Sequence, residues 1–477
     1  MTRTRFLIAA AAMFTSAPAL AQEFDAIAAI AAVDAQYERT ERVARQLWDW
    51  AEVGYQETRS SELLQSELEA SGFTIERGVA EIPTAFVAEY GSGGPVIAIL
   101  GEFDALPGIS QSDAAQRQEI AGKHAAHACG HNLFAAGSLA ASIAVRQWLE
   151  ETGTPGRVRF YGTPAEEGGS GKVYMTRAGL FDDVDVALHW HADDENSAAA
   201  QTSLANRSAK FRFRGKSAHA AGAPEQGRSA LDGVEAMNMM VNMMREHTSM
   251  DSRIHYVITE GGSAPNVIPD FAEVFYYVRH SETPEVEALW ERLEAAAEGA
   301  ATGTGTEVEW EVIHGNNPLL VNESLAKMMD AKLREVGGIE YTAEERAWAE
   351  QLSQSLGEAA EPLASAGEIK PYDTSLGYGS TDVGDVSWAT PTVGLRTATW
   401  VPGTSSHSWQ SAAASGTTIG YKGAQVAAKT MTLAAIELFG NSDLRERARA
   451  EFDAARGEGY EYRSLLGDRD PPLDYRK

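Results

Sequence analysis

The 477-residue chain has a single cysteine, Cys129, and that excludes an internal disulfide framework. It is short of basic residues: 40 Lys and Arg stand against 68 Asp and Glu, a formal net charge of −28. So acidic a body repels phosphate backbones, which argues against a nucleic-acid partner. The excess of carboxylates is compatible with cation binding, although a solvated acidic surface explains it equally well. Long apolar runs are missing too. The stretch 6–14 is far short of the roughly 20 residues that span a bilayer, so no membrane insertion is expected. No internal repeat is present.

Arg3 and Arg5, the short apolar run after them and the Ala19-Leu20-Ala21 site make residues 1–21 read as a secretory signal peptide. The mature protein is then exported, to the periplasm or beyond. In such a compartment a solitary thiol is inert and buried, bridged to another molecule, a nucleophile or a metal ligand. The rest of the chain is ordinary for a globular protein, with 44% hydrophobic and 23% charged residues.

Periodicity divides the mature chain. Residues 31–72 read as helical. A buried strand follows at 96–100, a helix at 131–149 and another strand at 157–164, the alternation of an α/β domain with a largely parallel sheet. From residue 204 the pattern changes. AKFRFRG alternates strictly, as in an antiparallel sheet with one wet face, and the order becomes β-α-β-β-α-β, a ferredoxin-like unit. The expected organisation is a catalytic domain in two parts, 22–203 and 317–445, with an inserted α+β domain at 204–316. A charged tail, 446–477, reads as a surface extension, and the acidic segment 342–366 as an exposed excursion.

Five short motifs carry chemistry. In EFDALPG, Asp104 follows the buried strand, at the carboxyl end where α/β sheets hold ligands, though such an Asp is as often a turn residue. In HAAHACGHN, Cys129 and His131 stand together where a helix begins. A helix N-terminus favours thiolate, and thiolate with imidazole suits zinc or a similar divalent ion. In TPAEEGGSGK, Glu166 and Glu167 are adjacent, so one carboxylate can hold metal while the other faces substrate. ALHWHADD sets His189 and His191 on one face of a strand end, and SSHSWQ contributes His407. Each signal is modest. Together they would supply ligands for more than one metal ion, as a hydrolase needs to activate water and polarise a carbonyl.

In order and spacing these motifs resemble metallopeptidase family 20, and within it the amidohydrolase branch, which includes aminobenzoyl-glutamate hydrolases and N-acyl-amino-acid amidohydrolases. The resemblance also rests on SLANRSAKFRFRGKSAHAA, GGSAPNVIPD and YGSTDVGDVSW, and it covers nearly the whole mature chain. It implies a dimetal α/β hydrolase domain with an inserted ferredoxin-like lid that forms a homodimer. It implies two divalent ions, zinc or manganese, held by Cys129 as the bridge and by His131, Glu167, His191 and His407. His189 stays open as the alternative to His191. Glu166 is then the general base acting on a metal-bound water, and Asp104 orients the ligands. His219 reaches across the dimer to polarise the scissile carbonyl, and Asn266 and Arg279 contact substrate, Arg279 through a carboxylate. His124 and His127 become supporting residues, and the role of Glu102 is left open. The expected reaction is hydrolysis of the amide of an N-acyl or N-aroyl amino acid, a small substrate with a free carboxylate. A metallo-dipeptidase or carboxypeptidase is the alternative, and an exported binding protein on a silent hydrolase fold a remoter one.

Overall fold

The computed structural model describes residues 17–476, so most of the expected 1–21 leader lies outside the described residues. Two sheets organise the chain. The larger has seven strands in the order Thr74–Arg77, Phe86–Ser92, Gly156–Thr163, Val96–Glu102, Val186–Asp193, Thr392–Ala398 and Ser197–Ala199. Its four inner strands, from Gly156–Thr163 to Thr392–Ala398, are parallel, and the outer ones pair antiparallel. Every residue of Val96–Glu102 is buried, which is why this stretch reads as an unbroken apolar run. Helices His131–Thr152 and Thr418–Gly440 pack on each other and on the sheet. The first is buried continuously from His131 to Val145, and its Ala, Gly and Ser residues let neighbours approach closely on all sides. The parallel strands all end at one edge, where one strand end carries His191 and the loops that follow two others bear Asp104 and Glu166.

The smaller sheet orders Arg253–Glu260, Phe271–His280, Ala205–Arg214 and Glu307–Asn316, all antiparallel. Helices Ala230–Met244 and Thr283–Thr304 cover one face, giving the ferredoxin-like arrangement. Strict alternation sends Phe211 and Phe213 into a separate core with Tyr276 and Trp290, while Arg212 on the other face pairs with Glu273 at 2.7 Å. The chain thus has a mixed α/β catalytic domain carrying an inserted ferredoxin-like lid.

Three expectations need correction. The helical stretch 31–72 is interrupted: Tyr37–Trp50 ends at Ala51, which is left-handed at φ 45°, and the next helix begins only at Thr58. Apolar periodicity persists within each piece and hides the break. The segment 342–366 is no exposed excursion. Its helix Ala343–Ser353 buries Ala349 and Leu352 in the main core, and Glu345 pairs with Lys422 at 2.6 Å. Last, the tail is not a surface extension. Helix Ser442–Arg456 packs on Glu323–Val336, and beyond it Leu465 enters the lid core while Leu466 enters the catalytic core. Among the described residues no helix is long and apolar enough to cross a membrane.

The tail is also held by polar contacts. The Tyr462 hydroxyl donates to Oδ1 of the buried Asp385 at 2.7 Å, beside two bonds from Asn317. Tyr462→Phe removes one donor from a buried carboxylate and is expected to lower stability by about 1–3 kcal/mol. Urea denaturation measures this, and an unchanged midpoint would show that the hydroxyl does not hold Asp385.

Candidate metal centre

Gly130 sets the geometry of the site. It stands before helix His131–Thr152 with φ 76°, and a Cβ there would meet the Ala192 side chain at 2.4 Å. Only glycine allows the Cys129 turn to press against the strand that bears His191. The Cys129 Sγ then lies 3.5 Å from His191 Nε2. His191 Nδ1 is committed to the Ala192 carbonyl at 2.8 Å, so as donor there it leaves Nε2 with a free lone pair facing the sulfur. His131 is fixed in the same way. Its Nδ1 lies 3.0 Å from both the backbone carbonyl and Oδ1 of Asp104, and Nε2 points inward. The other oxygen of Asp104 accepts from the Glu167 amide at 2.9 Å. One buried carboxylate therefore orients two candidate ligands at once.

The third element is the loop after strand Gly156–Thr163. Ala165 adopts φ 58°, which is unfavourable for a residue with a Cβ, and its amide is held by Oε1 of the fully buried Glu57 at 2.9 Å. This twist turns Glu166 and Glu167 into the cleft. The fourth element carries His407, also left-handed at φ 60°, whose amide donates to the Ala128 carbonyl at 2.9 Å. That bond sets His407 beside the cysteine turn, with Nε2 3.2 Å from Glu167 Oε1.

Two sets of ligand atoms result, each lying within 4.8 Å of one another: Cys129 with His131 and His191, and Cys129 with Glu167 and His407. Cys129 belongs to both. A third set, Glu102 with His131 and Glu166, overlaps them. The polar atoms fit cations. His131 Nε2 and Glu102 Oε2 lie 3.0 Å apart but are not aligned as a hydrogen bond, and both, like Glu167 Oε1, are buried without a hydrogen-bond partner. Groups so oriented are usually satisfied by something between them. Soft sulfur, imidazole and carboxylate form a donor set for two divalent ions.

The electrostatics agree. Burial pushes Glu166 well above the usual carboxylate range, with Glu102 and Glu167 adding to the effect. Burial keeps His191 neutral by lowering its pKa. Burial also opposes a charged His131, yet Cys129, Asp104 and Glu102 more than offset this and raise its affinity for a proton. The site wants positive charge, and a metal ion can take the proton's place. One expectation fails here. Burial and then Glu167 raise the Cys129 thiol well above its usual value, so the helix N-terminus alone does not generate thiolate. A bound cation would.

His189 is separated from these sets. Its ring packs over Gly394, where a Cβ would come within 2.3 Å, and burial lowers its pKa to about 3. It lines the cleft but belongs to neither triad. His127 is structural: Nδ1 accepts from the Asn132 amide at 3.2 Å and Nε2 lies 3.1 Å from the Leu47 carbonyl. Arg279 lines the cleft from the lid. His219 and Asn266 do not. They are exposed neighbours on the lid, joined by the bond from the Ala220 amide to the Asn266 carbonyl at 3.0 Å, and this chain does not bring them to the triads.

Several residues gave no sequence signal. Lys172 is fully buried, donates to Glu102 at 2.7 Å and pairs with buried Asp382. It was visible only as the end of GGSGK. Glu57 fell inside the stretch read as helical, and instead precedes the helix that begins at Thr58. Tyr475 and Arg476 both donate to the Glu167 carbonyl, at 3.1 and 2.8 Å, from a tail that reads as solvent-exposed.

Comparison with known proteins gives consistent results. The sequence model of peptidase family M20/M25/M40 matches residues 98–432. A subunit of the p-aminobenzoyl-glutamate hydrolase of Escherichia coli K12 is 41% identical over 448 residues, covering 88% of this chain and 93% of that protein. A mouse Xaa-Arg dipeptidase is 31% identical, covering 66% of this chain and 72% of that protein. Among solved structures, a dinuclear metal-binding peptidase of the M20 family from Bacillus subtilis aligns with TM-score 0.58 at 18% identity, over 85% of this chain and 99% of that one. An aminobenzoyl-glutamate utilization protein from Klebsiella pneumoniae aligns with TM-score 0.57 at 16% identity, over 83% and 96%.

The two triads differ in exposure. His131 is fully buried, whereas the His407 side chain is 50% exposed at the cleft mouth. A chelator is therefore expected to remove two ions in two phases, and His407→Ala to abolish the faster phase and one equivalent of metal. Elemental analysis along a chelator time course measures this. A single phase, or loss of both ions together in the variant, would refute the division into two triads.

Proposed function

We infer that this chain, which belongs to the M20/M25/M40 peptidase family, is an amidohydrolase that cleaves N-acyl or N-aroyl amino acids, with aroyl-glutamates as the leading substrates. The observation that carries the reading is the pair of triads sharing Cys129 beneath Glu166, in a cleft of about 1110 Å³. Two divalent ions, zinc or manganese, held by Cys129 with His131 and His191 and by Cys129 with Glu167 and His407, would supply Lewis acidity to water and to the scissile carbonyl. The protein's own groups do the rest. Glu166 takes the proton from the attacking water and returns it to the leaving nitrogen, a task suited to a carboxylate whose proton affinity is already raised. Asp104 keeps the His131 ring and the Glu167 backbone in register. The Arg279 Nε is buried without a partner, and among the described residues no carboxylate pairs with this guanidinium, which suits it to a substrate carboxylate.

The E. coli relative named for p-aminobenzoyl-glutamate supports the aroyl-glutamate class, and the mouse dipeptidase keeps a dipeptide as the alternative. His219 and Asn266 enter the mechanism only if a second chain supplies them, so we propose a dimer through the lid. The exposed Met239, Met243, Val257 and Ile258 on the lid fit a buried interface. The N-terminal pattern supports action outside the cytoplasm.

Glu166→Gln is expected to lower kcat roughly 10²–10⁴-fold while retaining both metal ions. The panel is aroyl-glutamates, acyl amino acids and dipeptides, with rates and metal content read together. Full turnover in the variant, or none by the metal-loaded wild type on any of these amides, would sink the proposal. For the lid, His219→Ala and Glu166→Gln chains, each inactive alone, are expected to regain up to about a quarter of wild-type activity when co-refolded, since mixed dimers hold one intact site. No recovery from a verified mixed dimer would remove His219 from the neighbouring site.

A further inference from the structure

The C-terminal segment beyond Arg456 runs from the lid to the loop that bears Glu166 and Glu167. Arg469 binds the lid carbonyls of Val312 and Ile313 and pairs with Glu311 at 2.7 Å. The Gln56 side chain then holds the Leu473 carbonyl at 2.9 Å, and the Tyr475 ring packs edge-on against Tyr55 at 5.6 Å. So anchored, the segment delivers Arg476 into the cleft. One Arg476 nitrogen, Nη2, donates to the Glu167 carbonyl at 2.8 Å, but Nε is buried without a partner, and among the described residues no carboxylate pairs with this guanidinium. Arg279 lines the same cleft in the same condition. Tyr277 lies in the electrostatic field of both. Arg207 and Arg456 also have a buried Nε without a partner, but neither lines the cleft. Arg396, on the same cleft wall, is neutralised by Asp193 at 2.8 Å. Both residues are half-buried, and a guanidinium whose Nε lacks a partner in a cleft wall can be completed by an anion there.

We propose that Arg476 is a specificity residue, supplied by the C-terminal segment, that binds a second carboxylate on the released amino acid, so that the cleft selects dicarboxylic leaving groups with Arg279 and Arg476 each taking one carboxylate. Holding the Glu167 loop does not by itself account for Arg476, because the Tyr475 hydroxyl donates to the same carbonyl at 3.1 Å. The inference rests on the amidohydrolase reading above. The two fail differently: if that reading is wrong, the wild type hydrolyses no N-aroyl amino acid, whereas if this inference is wrong it does so without Arg476-dependent selectivity.

The test compares an aroyl-glutamate with the matching aroyl-glutamine, in which a neutral amide of nearly the same shape replaces the side-chain carboxylate. Metal-loaded full-length wild type, Arg476→Gln and Arg476→Lys are assayed for kcat and KM on both. The wild type is expected to prefer the glutamate compound. Arg476→Gln should collapse the ratio of the two kcat/KM values by roughly 30-fold, mostly through KM, as loss of a charged hydrogen-bonded pair implies. Arg476→Lys, which keeps charge but not the fork, should fall between. An equal loss on both substrates would mean that Arg476 only positions the loop, and an unchanged ratio would mean that it does not meet substrate. Either result overturns the proposal. Binding of free glutamate against glutamine by calorimetry should shift in parallel, and an unchanged difference there would overturn it as well.

Discussion

The structure turns on a charge imbalance at the carboxyl ends of the parallel strands. Glu102, Asp104, Glu166, Glu167 and Asp382 gather there with Cys129, and among the described residues Lys172 is the one buried ammonium that answers them. Ionised carboxylates held so close and so dry repel one another, and proteins resolve the conflict by protonation or by a bound cation. The pattern of partners shows which. Lys172 sets one positive charge against Glu102 Oε1 and Asp382, and leaves Glu102 Oε2 facing His131. Asp104 is fully engaged with His131 and the Glu167 amide. What is left facing the centre is Cys129, Glu167, Glu166, one oxygen of Glu102 and three imidazoles, with buried atoms that find no partner. A site of that composition is built around metal ions.

Much of the backbone architecture follows from holding those groups still. Left-handed Ala165 and His407 are conformations that side chains resist, and each is locked by one hydrogen bond, from Ala165 to Glu57 and from His407 to Ala128. The buried Glu57 contributes nothing to a ligand set; its place is to impose the turn that aims Glu166. The lid is tied to the same loop by a second route, since His314 contacts Ser170 at 2.5 Å and Asn316 at 2.9 Å. The loop that bears Glu166 and Glu167 is therefore braced from the core, from the lid and from the C-terminal segment, which suits the general-base role proposed for Glu166.

The legible part of this site was the part written in local chemistry. Strand ends could be read from Val96–Glu102 and from the alternation at Ala205–Arg214, and the residue types at Cys129, His131, Glu166, Glu167 and His191 announced their own chemistry. The structure brings all of these together. What stayed hidden was whatever depended on partners distant in sequence. Nothing near Glu57 says that it will meet Ala165, 108 positions away. Lys172 reads as a surface lysine until Asp382 is known to stand beside it. The tail misled most, because Arg469, Tyr475 and Arg476 look solvated, and only the Leu465-Leu466 pair hints at burial. Periodicity reports which face of an element is apolar; it is silent on which charged groups will find each other.

His219 and Asn266 present the opposite case: their motifs are distinct in the sequence, yet both lie exposed, away from the triads. Within one chain neither reaches the ligand sets or the cleft. His219 Nδ1 accepts from the Ala221 and Gly222 amides, at 3.2 and 3.0 Å, which fixes the ring and presents Nε2–H outward as a donor. A donor fixed in this way suits the role proposed for His219 at a second chain's carbonyl, because preorganisation is what makes such a bond worth more in the transition state than in water. The same logic runs through the candidate site: the loop of Ala165 to Glu167 is held by Glu57, Asp104 and Tyr475, none of which belongs to a ligand set, so that little has to reorganise there.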